Sequence, residues 1–390
     1  MRRLFSPAFT LVFLANLFMG MSFFLFVHFP GFLDELGASE VEIGIIFGVT
    51  AIASILVRPQ IGTAMDRRGR RPVILTGNVL NIGITASYLT ISGLGPGIYA
   101  IRIVHGLAVA MLFTALTTLA ADLVPSDRRT QGLALFGISG LMPIALGGVI
   151  GDVVLERSGY DAVFLTATAF AIATGLFSLP VRDARAPAPD DGEGAPSFLA
   201  ALRRPALRPL WWITLAFSIS LTGYFAFLRT FVDETGLGSV GGFFAAYAVT
   251  AIILRAVAGW LPDRFGAKTV LYPALAVFAT GFVVLASAGS DLAVSVAGAL
   301  CGAGHAYMFP IIYALIVERS RASELGSAVS IFTGLFDVGT LMGGPTLGVV
   351  IGLAGYPTMF LVAGAWVVVG TVAFAVLDGD LPLRRLRSAV

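Results

Sequence analysis

Two titratable side chains, Asp337 and His305, stand in the middle of long apolar stretches of this sequence. An ionised carboxylate near the centre of a bilayer costs about 3 kcal/mol or more. Asp337 is therefore expected to face a cavity or a partner, where it would bind and release a proton near neutral pH. Histidine titrates in the same range, so a pairing of His305 with Asp337 would hold or pass a proton. The alternative is structural: a neutral, hydrogen-bonded carboxyl and a satisfied buried histidine.

Five further polar residues inside apolar stretches are candidates for a substrate or proton site. Arg102 and His105 are three positions apart, which places them on one face of a helix. An arginine inside a span needs an anion or carbonyl acceptors, so Arg102 either binds a ligand or ties helices together. Asn16 and His28 share the first stretch, and Arg229 lies in the seventh. Single polar residues also serve as packing contacts between membrane helices, and this alternative stays open for all five.

Enzymatic chemistry is not expected. The sequence has no Walker glycine loop, nucleophile elbow or paired cysteines, and its single cysteine, Cys301, lies in an apolar stretch. The three histidines, His28, His105 and His305, fall in three different stretches, which is unlike metal-site spacing. We therefore expect no cofactor and no built-in metal.

The candidate residues must be positioned by membrane-spanning helices. Hydrophobic residues make up 57% of the 390 residues and charged residues 12%, against about 25% charged in soluble domains. A helix of about 20 apolar residues crosses the hydrocarbon core, and twelve such stretches fit. The predicted spans are 9–33, 42–65, 73–94, 97–122, 130–155, 161–180, 210–232, 240–262, 269–289, 292–316, 325–350 and 357–377. The predicted fold is all-α and integral to a lipid bilayer.

The basic residues give the orientation. Twenty of the 25 Lys and Arg residues fall in segments on one side of the predicted spans, and Arg157 alone falls on the other. Since Lys and Arg are retained in cytoplasmic loops, both termini are predicted to be cytoplasmic, in the cytoplasmic (inner) membrane. Because the positive charges form short clusters between spans, nucleic-acid binding is not expected.

The sequence repeats itself at a nearly constant offset. Arg58, Gly62, Asp66 and Gly69 recur 197 positions later as Arg255, Gly259, Asp263 and Gly266. Such a repeat over half the chain indicates two pseudo-symmetric six-helix bundles, with a binding site between them near the midplane. The predicted domains are residues 1–181 and 209–390, joined by a Pro-rich cytoplasmic linker at 182–208.

The stretch from Gly62 to Arg71 joins spans two and three and reads Gly-Thr-Ala-Met-Asp-Arg-Arg-Gly-Arg-Arg. It resembles the loop signature of the major facilitator superfamily, and residues 259–268 form a weaker copy in the second half. Arg102 and Gly106 are similar to the fourth-span signature of that family's proton-driven exporters. The resemblance implies the major facilitator fold, in which two bundles alternate around a central site.

Three further segments, 30–39, 304–310 and 336–339, resemble the drug:proton antiporter branch. Within that branch they are similar to members labelled arabinose-efflux-like, which include metallophore exporters. The resemblance implies that spans one and seven line the cavity and that Arg102 supports proton transfer or binds substrate. Arg70 is expected to reach Asp122 at the cytoplasmic end of span four, and the resemblance implies that this cluster latches the two halves. The alternative is that Arg67 to Arg71 serve only as a positive-inside topology signal. The gate and loop residues are Gly62, Asp66, Arg67, Gly69, Arg70, Asp122, Gly259, Asp263 and Gly266.

The antiporter signature of the fifth span is displaced in this sequence. Its glycine and proline positions are approximated by Gly140, Pro143 and Gly147. The spacing fits better in span eleven, and we expect both sets to serve helix packing. The span-eleven residues are Gly339, Gly343, Gly344 and Pro345.

The sequence thus predicts a monomeric secondary transporter working by alternating access. Proton-coupled efflux of a small organic molecule is the main prediction, and proton-coupled import of a sugar, amino acid or organic acid is the alternative. A non-transporting sensor on the same fold is a third possibility, and it would show no substrate-coupled proton flux.

Overall fold

The computed structural model describes residues 6–124, 129–183, 198–320 and 325–379, and within these ranges the regular structure is helical, with no strand. The helices are α1 (Pro7–Phe24), α2 (Phe29–Glu35), α3 (Glu40–Arg68), α4 (Arg70–Ser87), α5 (Pro96–Leu123), α6 (Arg129–Ser178), α7 (Phe198–Arg203), α8 (Arg208–Thr235), α9 (Val240–Ala258), α10 (Leu261–Phe265), α11 (Ala267–Ala286), α12 (Asp291–Arg319) and α13 (Leu325–Leu377). Ten helical segments of the described chain are long and apolar enough to cross a membrane.

Two of these segments are each a pair of helices joined by a single glycine. α6 is 50 residues long and turns at Gly159, and α13 is 53 residues long and turns at Gly355. Both glycines have positive φ, 75° and 77°, which side-chain-bearing residues rarely adopt. The two pairs supply predicted spans five and six, and eleven and twelve, so the described helices account for all twelve predicted spans.

The first span is not one regular helix. α1 begins at Pro7, with the Ser6 side chain accepting the Phe9 N–H as an N-cap, and it tightens into a 3₁₀ turn at Leu25–His28 before α2. Pro30 lacks the N–H that would bond to the Phe26 carbonyl four residues earlier. The Phe29 N–H reaches the Phe26 carbonyl instead. This change of helix geometry places His28 at the end of the 3₁₀ turn.

The chain forms two compact units. The first comprises Met1–Ser39, Val49–Gly192 and Arg229–Ala248, and the second comprises Glu40–Gly48, Glu193–Leu228 and Val249–Val390. In the first unit Ser22 Oγ donates to the Ala167 carbonyl at 2.8 Å, and in the second Ser220 Oγ donates to the Ala363 carbonyl at 2.7 Å. These two bonds are offset by nearly the same number of positions as the sequence repeat, so the repeat extends to interhelical contacts.

Candidate functional site

Asp337 lies on the first half of α13, twelve residues after Leu325 and about 18 Å along the helix axis. Its side chain is half-buried. The preceding carbonyl, that of Phe336, accepts a hydrogen bond from Ser218 Oγ of α8 at 2.8 Å. A Cβ at Gly339 would overlap the Ser218 side chain. The turn that carries Asp337 is therefore fixed against α8 by a hydrogen bond and by a glycine that permits close approach.

His305 of α12 lies in an aromatic cluster next to this turn. Its ring centroid is 5.2 Å from that of Phe217 and 6.1 Å from that of Phe309. Both phenylalanines also contact the Phe336 ring, at 5.9 and 5.6 Å. The Phe336 ring therefore belongs with His305 to one aromatic cluster of α8, α12 and α13, and the backbone turn that carries Asp337 lies beside this cluster. Direct pairing of the two side chains stays a prediction.

Arg255 of α9 has a structural role that the repeat alone did not reveal. Its Nε donates to the Ala306 carbonyl of α12 at 3.0 Å. In a regular helix that carbonyl would accept the N–H of residue 310, but Pro310 has none. Arg255 therefore supplies the hydrogen bond that Pro310 cannot supply.

Arg102 and His105 of α5 are brought together around Tyr88. The Tyr88 hydroxyl is 3.0 Å from His105 Nδ1, and Arg102 Nη1 is 3.5 Å from the same hydroxyl. The Arg102 guanidinium lies over the Phe29 ring at 4.9 Å, a cation–π distance. Arg102 is 4% exposed and His105 is 1% exposed. The predicted shared face exists, and it points into the aromatic interior of the first unit.

Asn16 of α1 is buried and tied to the kinked helix pair α6. Its Nδ2 donates to Ser139 Oγ at 2.8 Å, and Ser139 Oγ in turn donates to the Phe136 carbonyl at 2.6 Å. Asn16 Oδ1 is buried without a hydrogen-bond partner. One end of the amide is thus structural, and the other retains an unused acceptor.

His28 and Arg229 belong to a charged cluster that includes two carboxylates not predicted as site residues. Arg229 Nε donates to Asp233 Oδ2 at 2.7 Å, and Nη2 is 2.5 Å from Asp233 Oδ1, an i,i+4 pair on α8. His28 Nδ1 is 3.8 Å from Asp152 Oδ1 on α6. The sequence did carry a signal for Asp152, because it is a carboxylate inside predicted span 130–155. The partner of Arg229 was not predicted because Asp233 follows span seven.

The loop between α3 and α4 contains the predicted Arg70–Asp122 contact, with Arg70 Nε 3.0 Å from Asp122 Oδ2. Asp183, which no motif predicted, accepts the backbone N–H groups of Arg70 and Arg71 at 2.8 and 3.0 Å and so caps α4. A Cβ at Gly69, where φ is +86°, would overlap Asp183. Gly62 and the side chains of Asp66 and Arg67 in α3 and of Asp263 in α10 lie outside the described part of the structure.

The second half has a related cluster around Asp378, 195 positions after Asp183. Arg319 donates to both Asp378 oxygens, at 2.5 and 2.9 Å, and Lys268 Nζ is 2.5 Å from Oδ2. Burial raises the pKa of Asp378, but the hydrogen bonds from Arg319 and Lys268 outweigh it and hold the pKa below its usual range. Gly266 takes φ +91° at the position corresponding to Gly69. The atoms nearest to a Cβ at Gly259 would be those of the Arg255 backbone.

All but one of the glycines predicted to serve helix packing lie close to another helix. In the second unit a Cβ at Gly343 would lie 3.1 Å from the Thr222 Cβ, and one at Gly344 would overlap the backbone of Gly44 in α3. In the first unit Pro143 packs on Gly20, and Gly147 packs on Phe24. Pro345 lies inside α13, and the helix continues past it. Gly140 is the exception, because a Cβ there would meet nothing within 4 Å, so it is not a close-packing position.

Comparison with known proteins places these features in a family. A sequence model described as Major Facilitator Superfamily matches residues 11–245 and 233–388. The uncharacterized MFS-type transporter YhhS of Escherichia coli (strain K12) is 25% identical over 366 residues, 89% of this chain and 85% of that protein. Multidrug resistance protein MdtG of Yersinia enterocolitica is 25% identical over 362 residues, 88% of this chain and 86% of that protein.

Two solved structures share the fold. The human organic anion transporter MFSD10 superposes with a TM-score of 0.72 at 19% identity, covering 94% of this chain and 99% of that chain. A POT family transporter in complex with a thioalcohol-conjugated peptide gives 0.79 at 14% identity, covering 95% and 96%. With helices for all twelve spans and a family match over nearly its whole length, the chain is a multi-pass membrane transporter, not an enzyme, and it belongs to the Major Facilitator Superfamily.

Proposed function

We propose that this transporter exports a small organic molecule from the cytoplasm in exchange for protons, by alternating access. The observation that carries the proposal is Asp337, a half-buried carboxylate in the middle of a membrane helix, fixed in place by Ser218 and Gly339. An ionised carboxylate at this depth is costly, and burial favours its neutral form, so a group of this kind is suited to take up and release a proton. The similarity to MdtG, named a multidrug resistance protein, supports efflux over import.

The proposal includes a monomer with both termini in the cytoplasm, built from bundles 1–181 and 209–390 and a linker at 182–208. In this scheme protonation at Asp337, assisted by His305 or Arg102, favours one orientation of the bundles. Substrate binding favours the other. The Arg70–Asp122 contact belongs to the cytoplasmic gate.

The test is proton flux in everted membrane vesicles with an acid interior, challenged with amphiphilic drugs, sugars and metallophores. A transported compound should discharge the gradient in wild type, and Asp337→Asn should slow the discharge about tenfold or more, since coupling would lose its proton-binding group. Asp161→Asn, at an exposed carboxylate beyond the Gly159 turn, is the matched control and should behave as wild type. Accumulation of a compound by intact cells without discharge from vesicles would instead establish import.

A further inference from the structure

His28 and Asp152 face one another inside the first unit, with His28 Nδ1 3.8 Å from Asp152 Oδ1. His28 is fully buried, and its Nε2 lies 3.2 Å from the Gly148 carbonyl oxygen. A carbonyl oxygen only accepts hydrogen bonds, so Nε2 carries the hydrogen and Nδ1 of the neutral ring is an acceptor. Nδ1 is buried without a hydrogen-bond partner, and Asp152 Oδ1 is 3.8 Å away. When His28 is neutral and Asp152 is ionised, the two groups therefore present lone pairs to each other.

The other oxygen of Asp152 holds the start of α9. Oδ2 accepts the backbone N–H of Gly241 at 2.6 Å. Gly241 is the second residue of α9, where the N–H has no partner within the helix. The negative charge of a carboxylate is also favoured at a helix N-terminus. Asp152 thus links the protonation state of the His28–Asp152 pair to the contact between α6 and α9.

Three glycines make the space for this arrangement. A Cβ at Gly241 would lie 2.6 Å from Asp152 Oδ2 and 2.8 Å from Val149 Cα. A Cβ at Gly148 would lie 3.1 Å from Gly241 Cα, and one at Gly151 would overlap the His28 ring. The imidazole and carboxylate are therefore enclosed at close quarters by backbone.

The remaining charged and titratable neighbours come from known elements. Arg229 of α8 acts electrostatically on both His28 and Asp152, and its ion-pair partner Asp233 acts on Asp152. Tyr160, beyond the Gly159 turn, interacts with Arg229 and Asp233, and Glu35 with Tyr160. Asp34 acts on Asp233, and the Ser239 side chain adds a hydrogen bond to Asp152. The atoms that could share a proton are therefore His28 Nδ1 and Asp152 Oδ1.

We propose that the His28–Asp152 pair is a proton-binding site of the transport cycle, and that proton binding there weakens the hold of Asp152 on the first turn of α9. A proton on either atom turns two facing acceptors into a donor and an acceptor, and it neutralises or pairs the charge that caps α9. By linkage, forming the α6–α9 contact favours proton release, and breaking it favours proton uptake. The proposal rests on the proton-coupled transport proposed above and adds a carboxylate to it.

The first experiment uses the full-length protein in proteoliposomes, with ethidium as the probe. Asp152→Asn keeps an oxygen that can accept the Gly241 N–H but cannot exchange a proton. It should lower gradient-driven ethidium movement about tenfold, because the carboxamide can neither take up nor release the proton. Glu156→Gln, an exposed carboxylate one turn further along α6, is the matched control and should stay coupled. A fully coupled Asp152→Asn protein beside a coupled wild type would overturn the proposal.

A second measurement does not depend on transport. Infrared titration of the purified protein should show a protonated-carboxyl band that disappears in Asp152→Asn and shifts in pH midpoint in His28→Gln. Identical spectra for wild type and both variants would overturn the assignment. If wild type shows no coupling but this band is present, the proposed function fails and the proton site stands.

Discussion

Arg255 donates a hydrogen bond to a carbonyl of α12 that Pro310, four residues further on, cannot reach with an N–H of its own. The sequence identifies both residues as unusual, an arginine in an apolar stretch and a proline in another, but nothing in their spacing pairs them. The structure joins them through the Ala306 carbonyl, which Arg255 reaches at 3.0 Å. A charge in a membrane helix can therefore be explained by a missing backbone hydrogen bond rather than by a ligand.

Arg255→Leu should lower the free energy of unfolding by about 1–3 kcal/mol, because a buried carbonyl loses its donor. In a Pro310→Ala background the restored N–H would satisfy the Ala306 carbonyl, so the same substitution should cost less. A double-mutant cycle of unfolding in detergent measures this coupling. Equal costs in the two backgrounds would show that Arg255 does not compensate for the proline.

Asp378 should make stability depend on pH in the acid range. Burial raises the pKa of Asp378, but the interactions with Arg319 and Lys268 lower it by more than burial raises it. The folded-state pKa therefore lies below the unfolded value. The contribution is therefore complete at neutral pH and is lost as the pH falls from the ordinary carboxyl range through the folded-state pKa. Thermal unfolding followed against pH should give a flatter profile in this window for Asp378→Asn than for wild type, whereas Asp161→Asn should match wild type. Superimposable profiles for wild type and Asp378→Asn would contradict this.

At the scale of helices, sequence patterns predicted existence and order well and predicted contacts poorly. Hydrophobic length is sufficient to locate spans, because a helix in lipid must satisfy its own backbone. The same pattern does not distinguish Gly140 from Gly344, although both lie in stretches that resemble one signature. Which glycine meets another backbone depends on helix rotation, and a displaced signature gives no independent measure of rotation. Asp183 and Asp378 were missed for a related reason, since each lies just after a span.

Substituting these two glycines should separate the roles. Gly344→Val should destabilise the protein by about 1–3 kcal/mol, since its Cβ would overlap the Gly44 backbone where α13 crosses α3. Gly140→Val adds the same atoms where a Cβ meets nothing within 4 Å, and its effect on stability should be small. Unfolding midpoints of both variants in detergent provide the comparison. Equal losses would mean that the contact at Gly344 relaxes without cost.

For the whole molecule, the rate at which the single cysteine is labelled reports whether the protein is folded. Cys301 is fully buried on α12, and Gly281 of α11 packs against it. A Cβ added at Gly281 would lie 2.5 Å from Cys301 Sγ. Maleimide labelling should be very slow in the folded protein and complete after denaturation. Gly281→Ala should speed labelling, since the neighbouring helices must separate to accept the methyl group. Rapid labelling of the wild-type protein in membranes would show that α11 and α12 open without global unfolding.

The single-glycine turns at Gly159 and Gly355 also limit what can be recognised from one side. In the proposed topology, with both termini cytoplasmic, the connections on the opposite face are these two turns and the segments 36–39, 91–95, 236–239 and 287–290. Each of the four segments has four or five residues. A linear peptide epitope is usually longer than any of them. An antibody against that face would have to recognise a folded turn together with the helix ends that flank it. Such an antibody should bind the folded transporter and should not bind the denatured protein on a gel.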